Sequence, residues 1–169
     1  MAERSHRVAV WWHESRTCPR RDPGEPVYRA DFALGEHSAR HLRRVLRLYL
    51  TAWELLFLAD AAELALTELI ANVVRHVPDR RGKTFILRLP RGEGVRVEVM
   101  DSSPAVPLAI TGDPLDEGGR GLVLVDAVTD NWGVEKRWDG SGKTVWFECL
   151  TPPEKGGSRF RTARPGPRP

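Results

Sequence analysis

Residues 63–76 read ELALTELIANVVRH, and the spacing of polar residues within this apolar stretch indicates the fold. Glu68, Asn72 and His76 follow one another at intervals of four residues. Residues four apart lie on nearly the same face of an α-helix, each about 6 Å further along its axis. The stretch therefore predicts a largely apolar helix that carries one polar stripe, an unusual pattern for a helix that packs in a core.

The composition predicts one globular domain. The chain has 169 residues, of which 41% are hydrophobic and 29% are charged, enough to bury a core. No apolar run approaches the roughly 20 residues that span a membrane, and the basic N-terminus lacks the apolar stretch of a signal peptide. We therefore expect a cytoplasmic protein without a membrane partner. Cys18 and Cys149 are too far apart to indicate a disulfide framework or a zinc site; Cys149 is expected in the core and Cys18 at the surface.

The basic residues are concentrated in the two ends of the chain. Residues 1–24 carry a net charge of +2 and residues 152–169 carry +4, whereas residues 25–151 carry −3. Basic, Pro-rich tails are typical of disorder, while a nucleic-acid binder is expected to carry a basic patch on its folded surface. The sequence therefore predicts a folded domain over 25–151 between two irregular segments, and it does not favour nucleic acid as a partner.

Periodicity predicts the order of the elements. Strand patterns cover residues 27–34, 83–90, 94–101, 131–138 and 142–150, and helical patterns cover residues 38–50, 60–77 and 118–130. Ser38 is expected to cap the first helix, and Asp60 with Glu63 to form a capping box on the second. The resulting order, β-α-α-β-β-α-β-β, predicts an α+β, two-layer α/β sandwich with three helices on one face of a largely antiparallel sheet.

Three further features carry chemically useful groups, although each is weak by itself. Asp101 ends an apolar strand, where an Asp that starts a turn is common. Glycines in the segment 117–122, EGGRGL, allow a ligand to approach the backbone at the start of a helix, where free N–H groups favour phosphate. The segment Gly142-Lys143-Thr144 is not a P-loop, because the upstream glycine of that motif is absent and a strand follows.

Taken together and in this order, the motifs resemble the GHKL ATPase family, which includes DNA gyrase and the histidine kinases. The motifs that carry the resemblance are Glu68-x3-Asn72 (N box), Asp101 (G1 box), Gly119-Arg120-Gly121-Leu122 (G2 box) and Gly142-x-Thr144 (last box). The short domain and the stretch GGRGLVLVDAVTDNWG are most similar to bacterial anti-sigma-factor serine/threonine kinases. One departure is that Ser102-Ser103-Pro104 stands where the family usually has glycines.

The resemblance implies a Bergerat-type ATP-binding fold and a role for each motif. Asn72 would bind Mg²⁺, and Glu68 would be the catalytic base that orients or deprotonates the phosphoryl acceptor. Asp101 would accept a hydrogen bond from the adenine amino group, with Thr144 supporting Asp101 or a bridging water. The amides from Gly119 to Leu122 and the Arg120 side chain would meet phosphate. His76 is either a phosphate contact or a capping and packing residue.

Three functions remain open from the sequence. The first is a protein serine/threonine kinase that uses ATP and Mg²⁺ to phosphorylate a STAS-type anti-anti-sigma protein. The second is a non-catalytic adaptor that needs ATP to sequester a sigma factor or another regulator. The third is a nucleic-acid binder that acts through the tails, which nothing beyond their composition supports. The resemblance also implies a possible homodimer.

Overall fold

The structure, a computed structural model, describes residues 28–33, 36–105 and 120–152. Its elements are β1 (Tyr28–Ala33), α1 (Glu36–Ala52), α2 (Ala59–His76), β2 (Arg81–Arg88), β3 (Gly94–Asp101), α3 (Arg120–Val128), β4 (Asn131–Lys136) and β5 (Lys143–Leu150). Short 3₁₀ turns at Leu56–Leu58 and Pro90–Gly92 precede α2 and β3. The predicted order of strands and helices is confirmed. The predicted tails lie largely outside the described residues, so the domain limits remain a prediction.

The five strands form one sheet in the order β1-β2-β3-β5-β4. Each of the four pairings is antiparallel. In the centre of the sheet, Val97 of β3 lies opposite Ile86 of β2 on one side and Phe147 of β5 on the other. The strand β5 therefore lies between β3 and β4. Because β3 and β5 are antiparallel, the last residue of β3 lies beside the first residue of β5.

One face of the sheet and the three helices enclose the core. The core includes Leu42, Leu46 and Leu50 of α1, Leu66, Leu69, Ile70 and Val73 of α2, Val125 of α3, and Val95, Val97, Val99, Val145, Phe147 and Cys149 of the sheet. Alternate residues of β3 and β5 thus face the helices, as the period of a strand requires. The predicted two-layer sandwich is confirmed, and Cys149 is buried as expected. Cys18 lies outside the described residues.

The predicted helix caps are wrong for both α1 and α2. The helix α1 begins at Glu36, and the hydroxyl of Ser38 donates to the carbonyl oxygen of Ala33 instead of capping the helix. The helix α2 has no side-chain cap. The carboxylates of Asp60 and Glu63 both bind Arg47 of α1, because an arginine across the helix pair competes with the free N–H groups of the first turn for the same oxygens.

The sheet face away from the helices carries a charged cluster centred on Arg96. Its Nε lies 2.7 Å from Glu98 Oε1, its Nη1 lies 3.1 Å from Glu148 Oε1, and its Nη2 lies 3.6 Å from Glu135 Oε1. The guanidinium carbon lies 3.9 Å from the centre of the Trp146 ring. The Arg96 side chain is only 13% exposed. Because its three partners lie on β3, β4 and β5, the cluster links these strands.

Within the described ranges, no helix combines the length and the apolar character that crossing a bilayer demands.

Candidate functional site

The polar stripe on α2 lies at the border between the core and the surface. Leu66, Leu69 and Val73 are buried against the sheet, while Glu68 and Asn72 are half-buried and His76 is exposed in the last turn. The helix stops after His76 because Val77, which precedes Pro78, has extended backbone angles.

The first turn of α3 lies directly on this stripe. A β-carbon at Gly121 would come within 2.9 Å of Glu68 Oε2 and 3.4 Å of Asn72 Oδ1. The absence of a side chain at position 121 therefore leaves room for the Glu68 carboxylate and the Asn72 carboxamide directly beside the start of α3. Leu122, the next residue, is buried.

The structure describes only part of the predicted phosphate segment. Gly119 lies outside the described residues. Arg120 is described by its backbone alone, as the first residue of α3. The predicted roles of Gly119 and the Arg120 side chain therefore remain predictions.

Hydrogen bonds brace α2 and α3 on either side of the stripe. Arg43 Nη1 of α1 donates to Thr67 Oγ1 at 3.1 Å, and this hydroxyl donates in turn to the Glu63 carbonyl oxygen at 2.7 Å. At the other side, Trp132 Nε1 of β4 donates to Asp126 Oδ1 of α3 at 2.8 Å. These bonds hold the helices that carry Glu68 and Gly121.

Asp101 ends β3 on the helix side of the sheet, and it is paired with a cation. Lys143 Nζ lies 2.9 Å from Asp101 Oδ1, and the two side chains are 7% and 3% exposed. The same carboxylate oxygen accepts the Ser103 backbone N–H at 2.8 Å. The segment after Asp101 thus folds back on the carboxylate in an Asx turn.

The structure brings Lys143, and not Thr144, to Asp101. In the β3–β5 register Lys143 lies opposite Asp101, and Thr144 lies opposite Met100. Consecutive strand residues point to opposite faces, so the Thr144 side chain lies on the sheet face away from the helices. The sequence analysis did not predict a role for Lys143. The apolar residues Val145 and Phe147 indicate which face of β5 packs on the helices, and the alternation of a strand places Lys143 on that same face.

Other polar features of the described residues lie elsewhere. A shallow groove between β1 and α1 is lined by Tyr28, Ala30, Asp31, His37, Ser38 and His41. It contains none of the predicted site residues. Within the described ranges, no group of three or more His, Cys, Asp and Glu side chains is arranged to hold a metal ion.

Comparisons with known proteins agree with this architecture. The family model of the histidine kinase-like ATPase domain matches residues 33–149. An uncharacterized protein of Streptomyces coelicolor is 42% identical over 77 residues, which are 44% of this chain and 72% of that protein. The crystal structure of the RsbU and RsbW domains of Rv1364c from Mycobacterium tuberculosis is similar in fold, with a TM-score of 0.50 and 18% identity.

The extent of each match determines what it shows. The alignment with the mycobacterial structure covers 76% of this chain but 34% of that one, so this chain spans about a third of its length. At that identity the similarity concerns the fold alone. The family model, in contrast, matches well over half of the chain and includes every described residue from Glu36 to Cys149. The chain therefore belongs to the histidine kinase-like ATPase domain family.

Proposed function

We propose that this chain is an ATP-dependent serine/threonine kinase of the anti-sigma-factor type, which phosphorylates a STAS-type anti-anti-sigma protein. Membership in an ATPase domain family implies ATP binding. The observation that carries the proposal is that Glu68 and Asn72 lie together against Gly121 at the start of α3. A carboxylate, a carboxamide and the N-terminus of a helix supply a proton acceptor, a neutral oxygen ligand and amide donors for phosphate.

Asn72 is the residue that would hold Mg²⁺. Its Oδ1 is an uncharged oxygen of the kind that Mg²⁺ accepts, and Mg²⁺ is commonly bound by one or two protein oxygens together with substrate phosphates. The glycine at position 121 keeps the space beside Asn72 Oδ1 free of a side chain. When bound, Mg²⁺ neutralises charge on the phosphates. The residues present therefore fit the ion.

Glu68 would act on the acceptor hydroxyl. Its carboxylate accepts the proton of a serine or threonine hydroxyl, whose oxygen bonds to the γ-phosphorus as the bond from that phosphorus to the β–γ bridging oxygen breaks. The products are the phosphorylated partner and ADP, and Glu68 returns the proton to solvent. Phosphoryl transfer depends mainly on positioning and charge stabilisation. We assign the residues from Gly119 to Leu122 to binding of the phosphates, and Asp101 to binding of the adenine base.

The test combines an activity assay with a variant of Glu68. The protein is incubated with labelled ATP, Mg²⁺ and candidate STAS proteins, and phosphoserine or phosphothreonine is located by mass spectrometry. Glu68→Ala should slow transfer by roughly 10²–10⁴-fold while leaving ATP affinity nearly unchanged, and Glu68→Gln controls for the loss of side-chain volume. Equal transfer rates for wild type and Glu68→Ala would remove the catalytic role of Glu68.

The adaptor is the second candidate. The buried pair of Asp101 and Lys143 lies at the position assigned to the adenine base, and an adaptor needs nucleotide binding there as much as a kinase does. An adaptor would capture a sigma factor or another regulator only when ATP is present, without transferring phosphate. Pull-down with and without ATP, together with the labelling assay, separates the two functions. Sedimentation of the protein alone tests whether it forms the homodimer that we also propose.

A further inference from the structure

The turn that joins β4 to β5 leaves a tryptophan almost wholly in water. Trp138 is 98% exposed, whereas the next most exposed large apolar side chain of the described residues, Leu48, is 63% exposed. The other tryptophans of the described ranges, Trp53, Trp132 and Trp146, are half-buried. An exposed leucine is common, but an indole carries so much apolar surface that its burial against a partner is strongly favourable.

Hydrogen bonds within the turn fix the backbone on either side of Trp138. Asp139 Oδ1 accepts the backbone N–H of Ser141 at 2.9 Å and its hydroxyl at 2.7 Å. The Gly140 N–H donates to the Arg137 carbonyl oxygen at 3.0 Å, and Gly140 has a φ of 69°, which glycine adopts without strain. A partner that buries Trp138 therefore has to order only the two torsions of its side chain.

The turn projects from the end of the sheet at which the candidate site lies. Lys136, the last residue of β4, is paired with Lys143 of β5, and Lys143 is paired in turn with Asp101. Asp101 is also paired with Gly82 near the start of β2. The end of the sheet that carries the residue assigned to the adenine base therefore also carries the turn with Trp138.

The helices place the proposed catalytic groups toward the same end. The helix α2 ends at His76, shortly before β2 begins beside the end of β3. Glu68 and Asn72 lie in the C-terminal half of α2, and α3 begins beside them, with Gly121 in its first turn. A protein that presents a hydroxyl to Glu68 therefore has to approach the end of the fold from which Trp138 also projects.

The charges next to Trp138 indicate which kind of surface it fits. Lys136 and Arg137 are exposed and contribute two positive charges, against one negative charge from Asp139. That carboxylate is already engaged within the turn, because its Oδ2 lies 3.6 Å from Arg137 Nη2. The positive balance favours a partner surface on which acidic side chains surround an apolar pocket. Tryptophan and arginine are also among the side chains that contribute most to interface affinity.

We propose that Trp138 is the docking anchor for the protein that receives the phosphate, and that it inserts into an apolar pocket with an acidic rim on that protein. The inference rests on the proposed function, in which a STAS-type partner brings a serine or threonine hydroxyl to Glu68. Because Trp138 contacts the partner away from the reacting atoms, it binds the partner equally before and during transfer. Such a contact changes the KM for the partner and leaves kcat unchanged.

The experiment compares wild type and Trp138→Ala as full chains, with purified STAS proteins encoded by the same genome as probes. Calorimetry measures partner and ATP affinity, and the transfer assay gives kcat and KM. Trp138→Ala should raise the dissociation constant and the KM for the partner about 30-fold, as the loss of a central interface side chain does. Its kcat, ATP affinity and thermal unfolding should match wild type, and Trp138→Phe, which keeps an aromatic ring, should lose less.

Phe57→Ala is the matched control, because Phe57 is 61% exposed but lies in the 3₁₀ turn before α2, away from the site. It should change none of these values. The partner should also protect Trp138 from oxidation by N-bromosuccinimide, which mass spectrometry locates without any variant.

Unchanged partner affinity of Trp138→Ala, or equal oxidation of Trp138 with and without the partner, overturns the inference alone. Loss of binding to phosphatidylglycerol vesicles with unchanged partner affinity also overturns it and assigns Trp138 to a membrane surface, which favours the same mixture of tryptophan and basic side chains. If wild type binds no STAS protein, the proposed function fails and the docking anchor fails with it.

Discussion

Gly121 of α3 lies against Glu68 of α2 so closely that a β-carbon at position 121 would come within 2.9 Å of Glu68 Oε2. The atom that would be displaced is the end of a flexible side chain. We therefore expect Gly121→Ala to move the Glu68 carboxylate without unfolding the protein. An alanine also favours a helix by up to about 1 kcal/mol over glycine, which offsets part of the strain.

The expected result for Gly121→Ala is a change in the free energy of unfolding of no more than about 1 kcal/mol and a loss of about 10²-fold in phosphoryl transfer, because a small misplacement of a catalytic group is costly. Thermal unfolding and the transfer assay measure the two effects. In a Glu68→Ala background the same substitution should cost little more. Full activity of Gly121→Ala would contradict the contact.

Asn72→Ala should weaken nucleotide binding only when Mg²⁺ is present. The substitution removes the oxygen that we assign to the ion, so the dissociation constant of MgATP should rise about tenfold or more, while that of ATP in excess chelator should not change. Asn72→Asp keeps an oxygen at the same place and should retain most of the affinity. Equal weakening with and without Mg²⁺ would assign Asn72 to the nucleotide instead.

Arg96→Met should lower the free energy of unfolding by about 2–3 kcal/mol. The substitution leaves Glu98 and Glu148 close together without their cation, and breaking a buried pair costs about 3–5 kcal/mol; we expect less because these side chains are 21% and 10% exposed. Arg96→Lys keeps the charge but loses the forked contacts and the stacking on Trp146, so about half of the effect is expected. Urea denaturation measures both, and a loss below about 0.5 kcal/mol would show that the cluster contributes little.

Cys149 should make stability fall at high pH. Burial, and to a lesser extent Asp130, raise the pKa of Cys149 from 9.0 to about 12. The unfolded chain therefore loses the thiol proton first, and the contribution of Cys149 to stability is complete below pH 9 and lost as the pH rises towards 12. The slope over this range is about 1.4 kcal/mol per pH unit.

The difference between wild type and Cys149→Ala, measured by urea denaturation at several pH values, isolates this slope. In a Cys18→Ser background, the buried thiol of Cys149 should also resist thiol reagents at pH 8 until the protein unfolds. Rapid labelling of the folded protein, or identical pH profiles for the two proteins, would contradict the buried state of this thiol.

Periodicity was sufficient to predict the order of the elements and the stripe on α2, because the repeats of helices and strands differ and are local in sequence. The caps were mispredicted because Asp60 and Glu63 can bind either free N–H groups or a cation, and sequence does not reveal that Arg47 lies within reach. Lys143 was missed because its partner Asp101 is 42 residues away. The register of two strands, rather than any local motif, brings them together.

The strand β5 is the last described strand in the sequence, yet it lies between β3 and β4. While the chain is being synthesised, β3 therefore has one open edge until residues 143–150 have left the ribosome. An unpaired edge with valines along it is a ready template for other chains. The sheet consequently closes only after β5 has been made, and nascent chains that pause before residue 143 expose a strand edge at which aggregation can begin.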